Sequence, residues 1–366
     1  MKVMNGNTQV RTSLRLHLTN VAGLGATQLL LSLLPALERN VKVVISDIHL
    51  PDRGPLAKYQ NIQVTAISKI YHRFLPNALS RVLECLVFSR GFDGVTPLLV
   101  FGDIPLRCNA PQTVFVQTPH LLKNKNFHWS INGLKFAILR NIFSINAKFA
   151  RAFIVQTTFM QKALAVSYPS IAHKIHVVAQ PAPLWLLASL PRPRIKHVGK
   201  LNLIYPSAGY PHKNHKLLKD VNMGMAGLWP INILKITLPV QDHPAPNVSW
   251  IQCVGLLTQS EMIKAYGDAD GLLFLSTDES YGLPLVEAMF MDLPIICPDL
   301  PYAHAICGEG AIYFDPLSID SLFEAVSILQ SRLENGWWPN WTIQMKAIPR
   351  CWEEVAEAMI NIACPV

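Results

Sequence analysis

Thirteen residues of this 366-residue chain, Thr277-Asp-Glu-Ser-Tyr-Gly-Leu-Pro-Leu-Val-Glu-Ala-Met289, have types and spacing suited to chemistry. They follow an apolar run, Gly271–Leu275, that reads as a strand. Pro284 suits the first turn of a helix, because its fixed φ is helical and its missing N–H would be unpaired there anyway. The amides around Gly282 and Leu283 are then free, with the positive end of the helix behind them. That arrangement binds phosphate. Glu279 comes before the helix and Glu287 is expected in its first turn. The two carboxylates therefore face different parts of one ligand and form no adjacent acid–base pair. An ordinary loop-to-helix turn with two solvated glutamates is the plain alternative.

A second loop, Tyr205-Pro-Ser-Ala-Gly-Tyr-Pro-His-Lys-Asn-His215, directly follows another apolar run. Its small residues allow close backbone approach, and Lys213 offers a point charge for a diphosphate. Alone, such a loop is as well explained by solvation. Beside the glutamate motif in the same domain it becomes specific.

Both loops need strands to carry them. In the second half, Leu201–Tyr205, Ile233–Leu238, Val248–Val254, Gly271–Leu275, Pro294–Cys297 and Ala311–Phe314 read as strands, each separated from the next by a helix-length segment. In the first half, Leu14–Leu18, Val41–Ile45, Leu98–Phe101, Val114–Val116 and Ala152–Val155 repeat the scheme less cleanly. Such alternation implies right-handed βαβ units and parallel sheets. The expected fold class is α/β, with two doubly wound Rossmann-like domains facing across a cleft. Ligands should lie at the carboxyl ends of the strands, hence in that cleft.

Charge marks the boundary. Residues 1–190 hold 20 Lys and Arg against 6 Asp and Glu, whereas residues 191–366 hold 12 against 18. The change falls at Pro191-Arg-Pro-Arg-Ile-Lys196, which reads as a linker. The expected division is therefore one Rossmann-like domain over 1–190 and a second over 191–345. A C-terminal helix over 346–366 would pack back on the first.

Composition narrows the class. Half the chain is hydrophobic and only 15% is charged, which excludes disorder, a collagenous fibre and a disulfide scaffold. The seven cysteines form no C-x-x-C pair and no Cys/His cluster, so reduced thiols and a cytoplasmic location are expected. The longest apolar run, Val21–Leu37, contains Gly23, Gly25, Gln28 and Pro35 and fails as a membrane span. No signal peptide is visible at the start.

The two loops together resemble the retaining GT-B-fold glycosyltransferases of family four, the glycosyl transferases group 1. Glu279 and Glu287, with Tyr-Gly-Leu-Pro between them, match that family's Glu-x7-Glu motif, and Pro211-His-Lys-Asn-His215 matches its phosphate-binding loop. Ala269–Ser276 and Gly310–Pro316 extend the likeness, and Trp352–Ala356 looks like its C-terminal helix. The resemblance is strong over residues 200–325 and thin before them.

It implies a nucleotide-diphosphate sugar as donor and no cofactor or catalytic metal. Lys213 would neutralise the donor diphosphate and Glu279 would bind hydroxyls of the transferred sugar. Ser280, Tyr281, Gly282 and Leu283 would line the donor site. Glu287 would accept hydrogen bonds from the ribose hydroxyl pair, a job suited to an acceptor-only carboxylate. The family usually carries an Arg five residues before the Lys, and here that position is Ala208. Losing one of two cations weakens charge stabilisation of the leaving group. His212 or a basic residue of the first domain would have to compensate, or activity would be low or absent.

In the first domain, Thr19-Asn-Val-Ala-Gly-Leu-Gly25 resembles the family's N-terminal glycine loop, which brings Gly23 and Gly25 toward the donor phosphate. A plain tight turn fits equally. Phe115-Val-Gln-Thr-Pro-His120 matches the region of an active-site histidine, so His120 joins Glu279 and Lys213 as a catalytic candidate. A loop or helix-capping histidine is the other reading. Asp103, at another strand end, could contact an acceptor hydroxyl. Asp268-Ala-Asp270 spells the metal-binding signature of another transferase fold, but it precedes its strand and reads as a helix C-terminal turn.

The basic half also contains His128–Lys148, where Trp129, Phe136, Leu139 and Phe143 form an apolar surface among Lys125, Lys135, Arg140, Lys148 and Arg151. Leu75–Phe88 has a similar mix. Both can lie in an anionic membrane interface, and both equally fit core-packed helices with basic outer faces. A peripheral enzyme at the inner face of the cell membrane is expected, acting on a glycan or polyprenyl-diphosphate-linked acceptor in surface polysaccharide (O-antigen-like) synthesis. Nucleic acid is not an expected partner, since no recognition-helix or aromatic-platform motif is present. A sugar-nucleotide epimerase and a non-catalytic nucleotide-sugar-binding protein are the alternatives.

Overall fold

The computed structural model describes residues 13–18, 21, 24–48, 63–64, 77–87, 90–123, 131–187, 198–221 and 223–365. They form two compact units. The first comprises Met1–Ala179 with Arg350–Val366, and the second Gln180–Pro349.

The first unit is built on β1 (Ser13–Leu18), β2 (Lys42–Ile48), β3 (Gln63–Val64), β4 (Leu98–Val100), β5 (Gln112–Phe115), β6 (Ala150–Val155) and β7 (Ile175–Val177). They pair in the order β3-β2-β1-β4-β5-β6-β7, and every pairing is parallel. Helices α1 (Leu24–Asn40), α2 (Asn77–Leu86), α3 (Ile131–Asn146) and α4 (Thr158–Ser167) connect them. The strands read as continuous apolar runs because parallel strands are buried on both faces; Leu98, Val100, Val114, Val116, Phe153 and Val155 share one core with Phe143, Met160 and Leu164.

The second unit repeats the plan with β8 (Leu201–Tyr205), β9 (Ile231–Ile236), β10 (Ile251–Cys253), β11 (Gly271–Leu273), β12 (Ile295–Pro298) and β13 (Ile312–Phe314). Their order is β10-β9-β8-β11-β12-β13, again all parallel. Its helices are α5 (Leu184–Leu187), α6 (Gln259–Asp268), α7 (Leu283–Phe290), α8 (Pro301–Cys307), α9 (Ile319–Glu334) and α10 (Thr342–Lys346). Local signals set their ends: Thr258 and Glu261 form a capping box at the start of α6, and Ser318 caps α9. In each sheet the order reverses beside the first strand, between β1 and β4 and between β8 and β11. Loops at the carboxyl ends of those two strands must diverge, leaving a crevice for a ligand.

The division differs from the one read from charge. It falls at Ala179/Gln180, ahead of Pro191, because the segment before the prolines already packs with the second unit: Gln180 is bonded to Tyr281 and α5 packs on α6. The later boundary is Pro349/Arg350, because α10 stays with the second unit. The last helix, α11 (Trp352–Ala363), packs on α1, where Glu353 pairs with Arg39. Strands β3 and β7, two and three residues long, were not anticipated, being too short to show a period. No helix among the described residues is long and apolar enough to cross a membrane.

Candidate functional site: a cation and two carboxylates around a strand-order reversal

The loop after β8 and the loop after β11 flank the reversal of the second sheet, and they meet. Lys213 Nζ lies 2.5 Å from Glu279 Oε1, both side chains about 15% exposed. Several bonds fix this pair. The hydroxyl of Tyr205, at the end of β8, donates to the carbonyl of Lys213 at 2.7 Å. Burial pushes that phenol well above its ordinary pKa, so it stays a donor. Asn214 turns the chain at φ 55° and its side-chain amide donates to the carbonyl of Pro316. The carbonyl of His212 accepts from the Thr277 amide at 2.7 Å and from the hydroxyls of Ser276 and Thr277. The two loops are therefore sewn to each other by backbone.

His215 and Ser207 brace the same loop. Ser207 Oγ lies 2.7 Å from His215 Nε2, and the His215 pKa falls to about 4 through burial, with Lys213 and His212 adding repulsion. The imidazole is thus neutral, and adds no charge where the family's arginine is missing. Ala208 only accepts, through its carbonyl, the Tyr210 amide. His212 stacks on Tyr210 with ring centroids 5.7 Å apart.

Gly282 takes φ 77° and ends the Glu279 loop as the cap of α7. That left-handed turn starts the helix at Leu283, so Glu287 falls in the second turn, one turn later than its spacing suggested. Glu287 is buried and accepts from the hydroxyl of Tyr266, on α6, at 2.5 Å. Burial raises its pKa to about 7, the Tyr266 bond opposing the rise. Ser280 and Leu283 are half-buried. Tyr281 departs from its expected place at the ligand: its ring is 4% exposed and its hydroxyl is spent on the backbone of Gln180.

In the first unit, Gly25 is the exposed second residue of α1, with open space where a Cβ would stand. Gly23 lies outside the described residues. His120 sits in the short turn Pro119–Leu121 after β5, half-buried and stacked on Phe136 at 4.0 Å. Asp103, at φ 64°, accepts from the amides of Gln117 at 2.6 Å and Thr118 at 3.2 Å. Its Oδ1 holds the His120 loop against the end of β4. Thr118 in turn caps the His120 turn.

Asp268 ends α6 near Lys235 at 3.9 Å, and Asp270 accepts the amide of Asn202 at 2.8 Å at the start of β8. Both carboxylates lie at the amino end of the sheet, away from Lys213. Among the described residues no three His, Cys, Asp or Glu side chains gather into a metal-holding group.

The apolar face that the sequence offered to a membrane turns inward. Phe143 is fully buried, Leu139 packs on the core and Phe136 lies under His120; Trp129 and Lys125 lie outside the described residues. The face of α3 left outside carries Leu134, Ile138 and Ile145, exposed by 60%, 43% and 54%. Lys135 and Lys148 are exposed beside them. On α2, Leu79 and Leu86 are also exposed, with Val87 just beyond.

Ser207 and His215 lie in the loop already singled out but were given no role there, whereas Tyr266 and Gln180 were missed and no local pattern marks them. Each works through a partner brought by the fold.

No protein-family model matches the chain. It is similar to the O-antigen chain mannosyltransferase B of Escherichia coli, 27% identical over 88 residues that cover 24% of this chain and 23% of that protein. It is also similar to the serotype-specific mannosyltransferase WbdA of Escherichia coli, 30% identical over 110 residues, 30% of this chain and 13% of that one. The chain thus spans under a quarter of the length of either relative. Among solved structures it resembles WaaG, a glycosyltransferase involved in lipopolysaccharide biosynthesis, with a TM-score of 0.61 over 96% of this chain and 100% of that one at 12% identity. HepE of Anabaena, solved with UDP and glucose, gives 0.58 over 96% and 95% at 14% identity. The fold is that of the GT-B glycosyltransferases, two parallel-sheet α/β units. The similarity to the group 1 glycosyltransferases stands, and the matched sequences are mannosyltransferases.

Proposed function

We propose that this protein is a retaining, metal-independent glycosyltransferase. It moves a hexose, with mannose the first to try, from a nucleotide-diphosphate sugar to a glycan or polyprenyl-diphosphate-linked acceptor in surface polysaccharide synthesis. The observation that carries this reading is the meeting of Lys213 and Glu279 across the strand-order reversal, with Glu287 on the helix that follows. The similarity to O-antigen mannosyltransferases supports it.

In this reading the donor diphosphate competes with Glu279 for the ammonium of Lys213 and takes it as charge develops on the leaving group. Released from the cation, Glu279 accepts from hydroxyls of the sugar. The amides at Gly282 and Leu283 and the hydroxyl of Ser280 approach phosphate or sugar, and Glu287 accepts from the ribose. His120 belongs to the acceptor side. The acceptor hydroxyl attacks on the face that the nucleotide diphosphate leaves, and a phosphate oxygen takes its proton. Positioning and charge stabilisation then supply the catalysis.

The same protein would act at an anionic membrane surface, supported by the exposed Leu134, Ile138 and Ile145 beside Lys135 and Lys148. Incubation with a panel of GDP-, UDP- and dTDP-sugars tests the enzyme. Slow nucleotide release, acceptor-stimulated, resistant to EDTA and giving a product of retained anomeric configuration, is the expected result. Epimerised donor, or binding without turnover, would replace this reading with an epimerase or a sugar-nucleotide sensor.

A further inference from the structure

The loop that carries Glu279 is tethered on both sides of that residue. Before it, the Thr277 amide is bonded to the carbonyl of His212. After it, the phenol of Tyr281 makes two bonds to a single residue: it donates to the carbonyl of Gln180 at 2.5 Å and accepts the Gln180 amide at 3.1 Å. Gln180 is fully buried and is the first residue of the second unit, joined covalently to Ala179, the last of the first unit's main segment. The Tyr281 ring is buried as well, and burial raises the phenol's pKa far above neutrality, so the donor proton is always present. The loop holding the sugar-binding candidate is thereby fastened to the first of the two points where the chain passes between the units.

We propose that Tyr281 is a positioning residue: by clasping the backbone of Gln180 it orders the Glu279–Ser280 loop and the connecting segment as one element, so that a donor fixing the loop also fixes the connection. This inference rests on the donor-site reading of Glu279. A phenylalanine at the ring's position would pack equally well and leave the loop's own hydrogen bonds alone. It would lack only the clasp. Loss of two neutral hydrogen bonds corresponds to roughly tenfold or more in local order.

Hydrogen exchange on wild type and Tyr281→Phe tests it, with peptides covering 178–184 and 276–283. Both segments should exchange about tenfold faster in the variant. The nucleotide chosen by the donor screen (GDP, UDP or dTDP) should protect both segments in wild type but only 276–283 in the variant. Turnover should fall about tenfold with donor KM within twofold, because bound donor no longer finds Glu279 in place. Unchanged exchange at 178–184, or loss expressed in KM alone, overturns the proposal. If no nucleotide binds and no donor turns over, the donor reading fails; the exchange comparison without nucleotide still decides the clasp.

Discussion

The hydroxyl of Tyr266 donates to Glu287 Oε2 at 2.5 Å, and this bond holds down a carboxyl that burial has lifted to about 7. Glu287 is therefore poised between its two forms near neutrality. A ribose hydroxyl pair needs the ionised form, which accepts at both oxygens. Donor KM should fall as pH rises through about 7, and Glu287→Gln should remove that dependence while weakening donor binding. Tyr266→Phe should move the midpoint upward. Donor KM measured across pH checks both variants.

The same shifts act on stability, with opposite signs. Glu287 is raised from 4.5, so its contribution is full below 4.5 and is lost as pH rises through about 7. His215 is lowered from 6.5, so its contribution is full above 6.5 and is lost as pH falls through about 4. Between 4.5 and 6.5 the two trends cancel in the wild type. Urea unfolding should show Glu287→Gln losing stability on acidification in this window and His215→Gln gaining it. Parallel pH profiles for the two variants would sink the assignment.

Lys213→Ala should remove at least about a hundredfold of turnover, the scale expected when one preorganised partner of developing charge is deleted. Glu279→Ala should do likewise. Glu287→Ala should instead act chiefly through donor affinity. Steady-state kinetics with the donor chosen by the screen separates these; undiminished turnover in the Lys213 variant would break the site assignment.

Gly310 offers a test of packing away from the site. A Cβ there would overlap the ring of Trp341, which is buried and donates its indole N–H to the carbonyl of Leu293 at 3.0 Å. Gly310→Ala should cost about 1–3 kcal/mol, seen as a lower Tm with KM unchanged.

Replacing Leu134, Ile138 and Ile145 together with Gln should reduce sedimentation with anionic vesicles and leave turnover on soluble acceptors intact. High salt should weaken wild-type binding. Equal sedimentation of variant and wild type would remove the membrane from the account.

Much of the site was legible because its chemistry sits in strand-to-helix loops. Parallel strands buried on both faces announce themselves as apolar runs, as Leu201–Tyr205 and Gly271–Leu273 do. Lys213 and Glu279 follow those runs directly. The error in the turn of Glu287 came from Gly282, whose left-handed turn starts the helix at Leu283, one residue ahead of Pro284. The supports were illegible for a different reason: Tyr266 and Gln180 bond to residues 21 and 101 positions away. Helix α3 shows the limit of periodicity, which tells which residues share a face but not which way that face turns. With apolar residues on both sides of the helix, Phe136, Leu139 and Phe143 fitted a membrane surface and a core equally; the fold buries Phe143 and half-buries the other two.

The docking of α11 on α1, with Glu353 paired to Arg39 across 314 residues, makes the second unit an insertion within the first. On a ribosome the second sheet can complete itself while the first still waits for its closing helix. The first unit thus keeps one side open until residues 350–363 are made. A nonsense change after residue 349 would leave the Lys213–Glu279 pair whole and strip a side from the other unit.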